Sequence, residues 1–140
     1  MRVSVFATAL IFILPFYNCS ENNSGKETTS EAVEAIQSWL VLIDDGKFIQ
    51  SWEETGSLFK NQIPDSQWVK TMENSRKPFG KVISRKVKSA QFKKSLPGVP
   101  DGQYVVAVFK TEFENKKQAV ETVSATNENK QWKVVGYFIR

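Results

Sequence analysis

The side chains available for chemistry are limited, because the 140-residue chain has no histidine and one cysteine, Cys19. Histidine is the commonest general base, the usual partner of a serine or cysteine nucleophile and a frequent zinc ligand. Sites of those kinds are therefore excluded. Ser57 and Lys60 form a Ser-x-x-Lys motif, but the Ser-Asp-Asn and Lys-Thr-Gly motifs that would accompany it in an acyl-transfer site are missing. We therefore predict no catalytic residue, no metal ligand and no cofactor.

Cys19 directly follows the apolar N-terminal segment of the chain. Arg2 supplies a positive charge, residues 3–17 contain no charged residue, and polar sequence begins at Asn18. This run is shorter than the roughly 20 residues of a membrane-spanning helix and is typical of a secretory signal. A cysteine at this position resembles the acylated cysteine of bacterial lipoproteins, which predicts lipidation of Cys19 and attachment to a bacterial membrane. The alternative is an ordinary signal peptide, with Cys19 removed or left as a thiol.

The composition divides the chain into three segments. Residues 1–18 are the predicted signal peptide, residues 19–29 a disordered tether, and residues 30–140 a single α+β domain. Residues 20–29 contain no apolar side chain, so they cannot bury enough surface to offset the chain entropy that folding would cost. The remaining residues suffice for one domain with its own core. We therefore expect an exported cell-envelope protein whose domain is held off the membrane by a short polar linker.

A basic stretch lies near the middle of the chain. Residues 74–100 contain no acidic residue. A solvated strand and loop would explain this stretch. The alternative is a positive patch, over residues 76–94, that faces anionic lipid, a glycan or an acidic protein. The formal net charge of +4 is too small for a nucleic-acid-binding protein, so no nucleic acid partner is predicted. The basic residues are Arg76, Lys77, Lys81, Arg85, Lys86, Lys88, Lys93 and Lys94.

Arg76 and Arg85 are the candidates for specific ligand contacts within this stretch. A guanidinium group can form two parallel hydrogen bonds with a carboxylate or phosphate, whereas a lysine acts as a point charge. The alternative role for both arginines is an ion pair with Asp44, Asp45 or Asp101 that ties helices to sheet.

Helical periodicity dominates the first half of the predicted domain. Apolar residues recur at helical spacing over residues 32–43, behind a capping box at residues 28–31 and before Gly46. A second helix is predicted over residues 47–61, and a third follows the break at Pro64. These helices must supply one layer of the domain.

From residue 81 the apolar period changes from about 3.6 to about 2, which predicts strands. The four predicted strands cover residues 82–92, 103–115, 118–126 and 131–139. Short polar turns join the last three, which is typical of an antiparallel meander. The predicted fold class is α+β, with N-terminal helices packed on a curved four-stranded antiparallel sheet.

Aromatic residues form the other candidate site. The second and fourth predicted strands are apolar on both faces, so both faces must be covered. Either the interior is filled, or the aromatic residues line an apolar pocket for a ligand. The candidate lining residues are Trp39, Trp52, Trp68, Tyr104 and Tyr137.

Several short motifs in combination resemble a known family. They are Trp39-Leu40, Asp44-Asp45-Gly46, Ser51-Trp52, Trp68, Arg76-Lys77-Pro78-Phe79-Gly80, Ser84-Arg85, Leu96-Pro97-Gly98-Val99-Pro100-Asp101-Gly102-Gln103-Tyr104, Phe109-Lys110-Thr111 and Trp132-Lys133-Val134-Val135-Gly136-Tyr137. Over about residues 30–140 the chain resembles the bacterial domain of unknown function 4019 family. The resemblance implies an exported or envelope protein and assigns no activity. The expected architecture is also similar to the NTF2-like and cystatin-like folds, which host both enzymes and binding modules.

We expect a lipid-anchored, non-catalytic binding or interaction module in the cell envelope. The alternative is a small enzyme without histidine that acts on an envelope glycan or lipid through arginine, tyrosine and aspartate. A structure distinguishes them. A buried carboxylate beside a tyrosine or arginine in an open cleft favours the enzyme, and a filled interior favours the module.

Overall fold

The computed structural model describes residues 21–140, with side chains from residue 24 onward. The predicted signal peptide and Cys19 lie outside the described residues. The helices are α1 (Glu21–Asp44), α2 (Phe48–Glu53), α3 (Ser57–Gln62) and α4 (Asp65–Ser75), followed by a 3-10 helix (Lys77–Phe79). The strands are β1 (Val82–Lys93), β2 (Tyr104–Phe113), β3 (Lys116–Glu128) and β4 (Gln131–Ile139). Among these described helices, none combines the length and apolar character needed to cross a membrane.

The four strands form one antiparallel sheet in the order β1-β2-β3-β4. Each strand pairs with its neighbour in sequence, as a meander requires, and the predicted α+β class and sheet are confirmed. Register shifts interrupt the ladders, for example between Val87 and Ser89 in β1 and between Ser124 and Ala125 in β3. Such shifts bend a strand and increase its twist. The NTF2-like or cystatin-like assignment stays a prediction.

Helix α1 packs across the sheet and forms the centre of the core. Ile36, Leu40 and Ile43 lie on one helical face and are completely or almost completely buried. They meet the alternate residues of β2 that point to the same layer, Ala107 and Phe109. Since side chains of a strand alternate between its two faces, the period of about 2 in the sequence identified this inner face.

Helix α1 ends where the sequence predicts and begins earlier. Gly46 has a φ of +70° and donates its backbone N–H to the carbonyl of Ile43 over 3.1 Å, as a glycine that terminates a helix does. At the other end, the Thr28 and Thr29 hydroxyls donate to the carbonyls of Ser24 and Gly25, four residues back. A helix therefore already exists there, and the predicted start at the capping box is wrong.

Part of the predicted tether consequently belongs to α1. Residues 21–29 are helical, and residues 24–27 are exposed, which agrees with their lack of apolar side chains. From residue 24 onward, Ala32 is the first buried residue of the helix. The division of the chain into leader, tether and domain at residues 18 and 29 stays a prediction.

The helix predicted over residues 47–61 is two helices, α2 and α3, which separate at Gly56. The Gly56 N–H donates to the carbonyl of Val134 in β4 over 2.8 Å. A Cβ atom at this position would lie 3.0 Å from Cγ1 of Val135. The backbone thus approaches the sheet edge so closely that a Cβ atom here would displace its neighbours, and α3 begins directly after this contact.

Candidate functional site

A group of polar side chains meets beneath the C-terminal end of α1. We call it the ion cluster. Its members come from every strand, from the last residue of α1 and from the residue after α4, so it joins the two layers of the fold. The ion cluster consists of Asp44, Arg76, Arg85, Thr111, Glu121 and Tyr137.

Glu121 of β3 is the most buried member, with 0% of its surface exposed. Its carboxylate accepts hydrogen bonds from Nε of Arg85 at 2.8 Å, from the hydroxyl of Thr111 at 2.6 Å and from the hydroxyl of Tyr137 at 2.6 Å. A buried carboxylate is tolerated only when it is paired and hydrogen-bonded in this way. Glu121 is therefore fixed by its neighbours on β1, β2 and β4.

Arg85 of β1 joins Glu121 to the end of α1. Its Nη1 and Nη2 atoms donate to Oδ2 and Oδ1 of Asp44 at 2.7 and 2.9 Å. Burial by itself lowers the pKa of Arg85, but the hydrogen bonds and negative charges of Asp44 and Glu121 outweigh that effect and raise the pKa. The guanidinium group therefore stays charged at any pH at which the protein is folded.

Arg76, directly after α4, closes the cluster from the other side and is only 3% exposed. It donates to Oδ1 of Asp44 at 3.1 Å and to the carbonyl of Gly80 at 2.8 Å. Its guanidinium carbon lies 4.2 Å from the ring centroid of Phe113, which is a cation–π distance. Two arginines thus face two carboxylates, and the cluster is electrically balanced.

Tyr137 of β4 completes the contacts of Glu121. Burial is the main cause that raises the pKa of the Tyr137 hydroxyl, and the charge of Glu121 raises it further. The phenol stays protonated and donates to the carboxylate.

The role of Arg76 and Arg85 follows from these contacts. An ion pair with Asp44 was the predicted alternative to ligand contacts, and both arginines form that ion pair. Asp45 instead lies 3.9 Å from Lys47 at the surface. Asp44 already accepts hydrogen bonds from both guanidinium groups, and their assignment as ligand contacts stays a prediction. Although the cluster places a buried carboxylate beside an arginine and a tyrosine, Glu121 is closed off from solvent and does not face an open cleft.

The candidate aromatic residues do not share one pocket. Trp39, Trp68 and Tyr137 lie together in the interior, where the Trp39–Tyr137 and Trp39–Trp68 ring centroids are 5.6 and 6.2 Å apart. The two indole groups both bond to Ser51, one to its carbonyl at 2.8 Å and the other to its hydroxyl at 3.0 Å. Phe59 packs against Trp68 with a centroid distance of 5.1 Å. These rings fill the interior.

Trp52 and Tyr104 lie elsewhere. The indole N–H of Trp52 donates to the carbonyl of Ile63 over 2.8 Å and so holds the α3–α4 connection. Tyr104 is 2% exposed, because the loop before β2 covers it, and its hydroxyl donates to the carbonyl of Pro100 over 2.5 Å. Both side chains therefore have structural contacts, and their assignment as ligand contacts stays a prediction.

A surface groove of about 570 Å³ lies between α1, α2 and β4, and Trp39 is the one predicted pocket residue in its lining. Trp39, Leu42 and Trp132 form its apolar lining. Nε1 of Trp132 is buried and has no hydrogen-bond partner among the described residues. The groove depends on where the short helix α2 meets β4, and no local sequence pattern encodes that position. In the described part of the chain, no group of three or more acidic or cysteine side chains is arranged to hold a metal ion.

The basic stretch divides into buried and exposed side chains. Arg76 and Arg85 belong to the ion cluster, and the other members are exposed lysines that form no salt bridge within residues 24–140. The exposed lysines are Lys77, Lys81, Lys86, Lys88, Lys93 and Lys94. Most of the accessible positive charge of this stretch is thus carried by lysine.

Comparison with known proteins identifies a family. No curated protein matches the chain. The family described as "Protein of unknown function (DUF4019)" matches residues 35–137, from the buried part of α1 to the last strand. The match therefore includes Asp44, Arg76, Arg85, Glu121 and Tyr137, and it confirms the resemblance that the motifs carry. The chain belongs to the DUF4019 family.

Proposed function

We propose that this protein is an exported cell-envelope protein, anchored to the membrane by an acylated Cys19, and that it acts as a non-catalytic binding module. The apolar leader that ends at Cys19 supports export and anchoring. The family match is consistent with this proposal and adds no activity to it.

The observation that carries the non-catalytic role is the closure of the ion cluster. Its buried carboxylate, Glu121, already accepts hydrogen bonds from Arg85, Thr111 and Tyr137. A catalytic acid or base needs hydrogen-bond access to a substrate and a pKa near the working pH. Glu121 has no exposed surface, and the raised pKa of Tyr137 keeps the phenol protonated. The cluster therefore serves to hold α1 on the sheet.

The exposed lysines of β1 supply the proposed binding surface. They would face anionic groups of the envelope, such as lipid head groups, acidic glycans or an acidic protein. Each lysine near an anionic surface contributes about 1 kcal/mol to attraction. The N-terminal part of α1, before the buried Ala32, would act as the spacer, since ten helical residues span about 15 Å.

Cell fractionation with the variant Cys19→Ala tests the anchor. We expect the variant to lose acyl labelling and to move from the membrane fraction to the soluble fraction, because one thiol carries the lipid. The matched control Ser20→Ala changes the adjacent residue and should keep both properties. Membrane retention of Cys19→Ala equal to that of the control would refute the lipid anchor.

A further inference from the structure

Two lysines face each other directly across the β1–β2 ladder. Lys86 of β1 is paired in register with Lys110 of β2, and both side chains are exposed. In such a pair the Cβ atoms lie about 5 Å apart, and like charges at this distance destabilise the sheet. A single neutral residue at either position would remove the repulsion.

The pair borders a concavity of about 620 Å³ on the face of the sheet that is turned away from α1. Lys117 at the start of β3 adds a third positive charge to its rim. Ser84 and Gln118 add a hydroxyl and an amide that can donate hydrogen bonds. The site is thus concave, positively charged and supplied with donors.

The positive charge of this concavity exceeds its negative charge, since its lining holds three lysines and one acidic residue. Glu112 is the one acidic residue in its lining, and it forms no salt bridge with a lysine of the described chain. The repulsion between Lys86 and Lys110 would be removed by an anion placed between them. We propose that Lys86, Lys110 and Lys117 form a binding site for a phosphate group. This inference rests on the proposed binding function and specifies its ligand chemistry.

Phosphate fits this site better than a carboxylate for two reasons. A phosphate monoester carries about −1.5 to −2 charges near neutral pH and three acceptor oxygens, which match three lysines. A carboxylate carries one charge and two oxygens. Lysine binds phosphate as a point charge and needs no planar fork, so three ammonium groups on flexible side chains can converge on one phosphate.

Thermal unfolding of the purified full chain with inorganic phosphate tests the site. Sodium phosphate is compared with sodium chloride at equal ionic strength, so that general screening is the same in both series. We expect Tm to rise by about 5 °C when phosphate reaches ten times its Kd, because a ligand that binds the folded state stabilises it. Chemical-shift changes should be confined to the amides of Lys86, Lys110, Lys117 and their neighbours.

Two variants and one control locate the effect. Lys86→Gln and Lys110→Gln should each weaken phosphate binding about tenfold, because each removes one charged donor. Without phosphate, both variants should have a Tm equal to or above that of the wild type, since the like-charge pair is gone. The control Lys70→Gln removes the same charge from an exposed position on α4, outside the concavity, and should keep the full phosphate response.

The opposite pattern overturns the site. An equal rise in Tm for the wild type and all three variants would mean a general salt effect, and no rise in the wild type would mean no site. A lower Tm of Lys110→Gln without phosphate, together with an unchanged phosphate response, would also refute the role of the pair.

Vesicles distinguish the source of the phosphate and separate this inference from the proposed function. Binding to phosphatidylglycerol vesicles, weakened by Lys110→Gln and competed by glycerol phosphate, would assign the site to a lipid head group. A phosphate response without vesicle binding would assign it to a soluble phosphate. Failure of the Cys19 experiment would remove the anchor and leave the phosphate titration unaffected.

Discussion

Asp44 and Arg85 join the end of α1 to the first part of β1 through two parallel hydrogen bonds of 2.7 and 2.9 Å. A guanidinium fork on a carboxylate fixes orientation as well as distance. Because Nε of the same arginine also donates to Glu121 in β3, one side chain ties a helix to two strands. The pair thereby determines how the helical layer sits on the sheet.

Replacing Arg85 by glutamine should destabilise the protein by about 3–5 kcal/mol, because Asp44 and the buried Glu121 would lose their main positive partner. Urea unfolding monitored by tryptophan fluorescence measures the change in the free energy of unfolding. The control Lys88→Gln removes an exposed charge from the same strand and should change stability by no more than about 0.5 kcal/mol. Equal stability of the two variants would show that the ion pair contributes nothing.

The sequence predicted the sheet well because strand patterns are local. The alternation of Ala107, Phe109 and Thr111 with outward residues marks the inner face of β2 within a few positions of the chain. The Asp44–Arg85 ion pair was one of the predicted alternatives. Asp44 lies near the predicted end of a helix and Arg85 lies on a predicted strand, so an ion pair between them ties the helices to the sheet.

The centre of the ion cluster could not be predicted in the same way. Glu121 looks like an ordinary polar residue of a strand, and its burial depends on which residues β2 and β4 place beside it. Those neighbours, Thr111 and Tyr137, are set by the register and by the shift between Ser124 and Ala125. Register is a tertiary property, so a single sequence holds no local signal for this contact.

The variant Tyr137→Phe should be less stable than the wild type by about 1–3 kcal/mol at neutral pH, because the buried carboxylate of Glu121 loses a donor. The deficit should shrink at alkaline pH. The pKa of Tyr137 is raised in the folded state, whereas an unfolded tyrosine loses its proton near pH 10. Above that pH the unfolded wild type binds fewer protons than the folded one, so its stability falls by about 1.4 kcal/mol per pH unit from this group.

The Tyr137→Phe variant lacks the pH-dependent contribution of the Tyr137 hydroxyl. Because all other titrating groups are the same in both proteins, their effects cancel in the comparison with the wild type. Urea unfolding of both proteins at several pH values from neutral to alkaline measures the difference in the free energy of unfolding. A difference that stays constant above pH 10 would show that Tyr137 ionises in the folded protein, in conflict with its raised pKa.

Phenylalanine at Trp39 and at Trp132 should have different effects on stability, although both substitutions remove the same atoms. The indole N–H of Trp39 donates to the carbonyl of Ser51 at 2.8 Å, so Trp39→Phe leaves that buried carbonyl without this donor. Nε1 of Trp132 is buried without a partner in the described chain, and its loss removes an unsatisfied group. We expect Trp39→Phe to cost at least about 1 kcal/mol more than Trp132→Phe in urea unfolding. Equal losses would mean that the Trp132 N–H has a partner in solution, and since the groove beside it is open to solvent, that partner would be water.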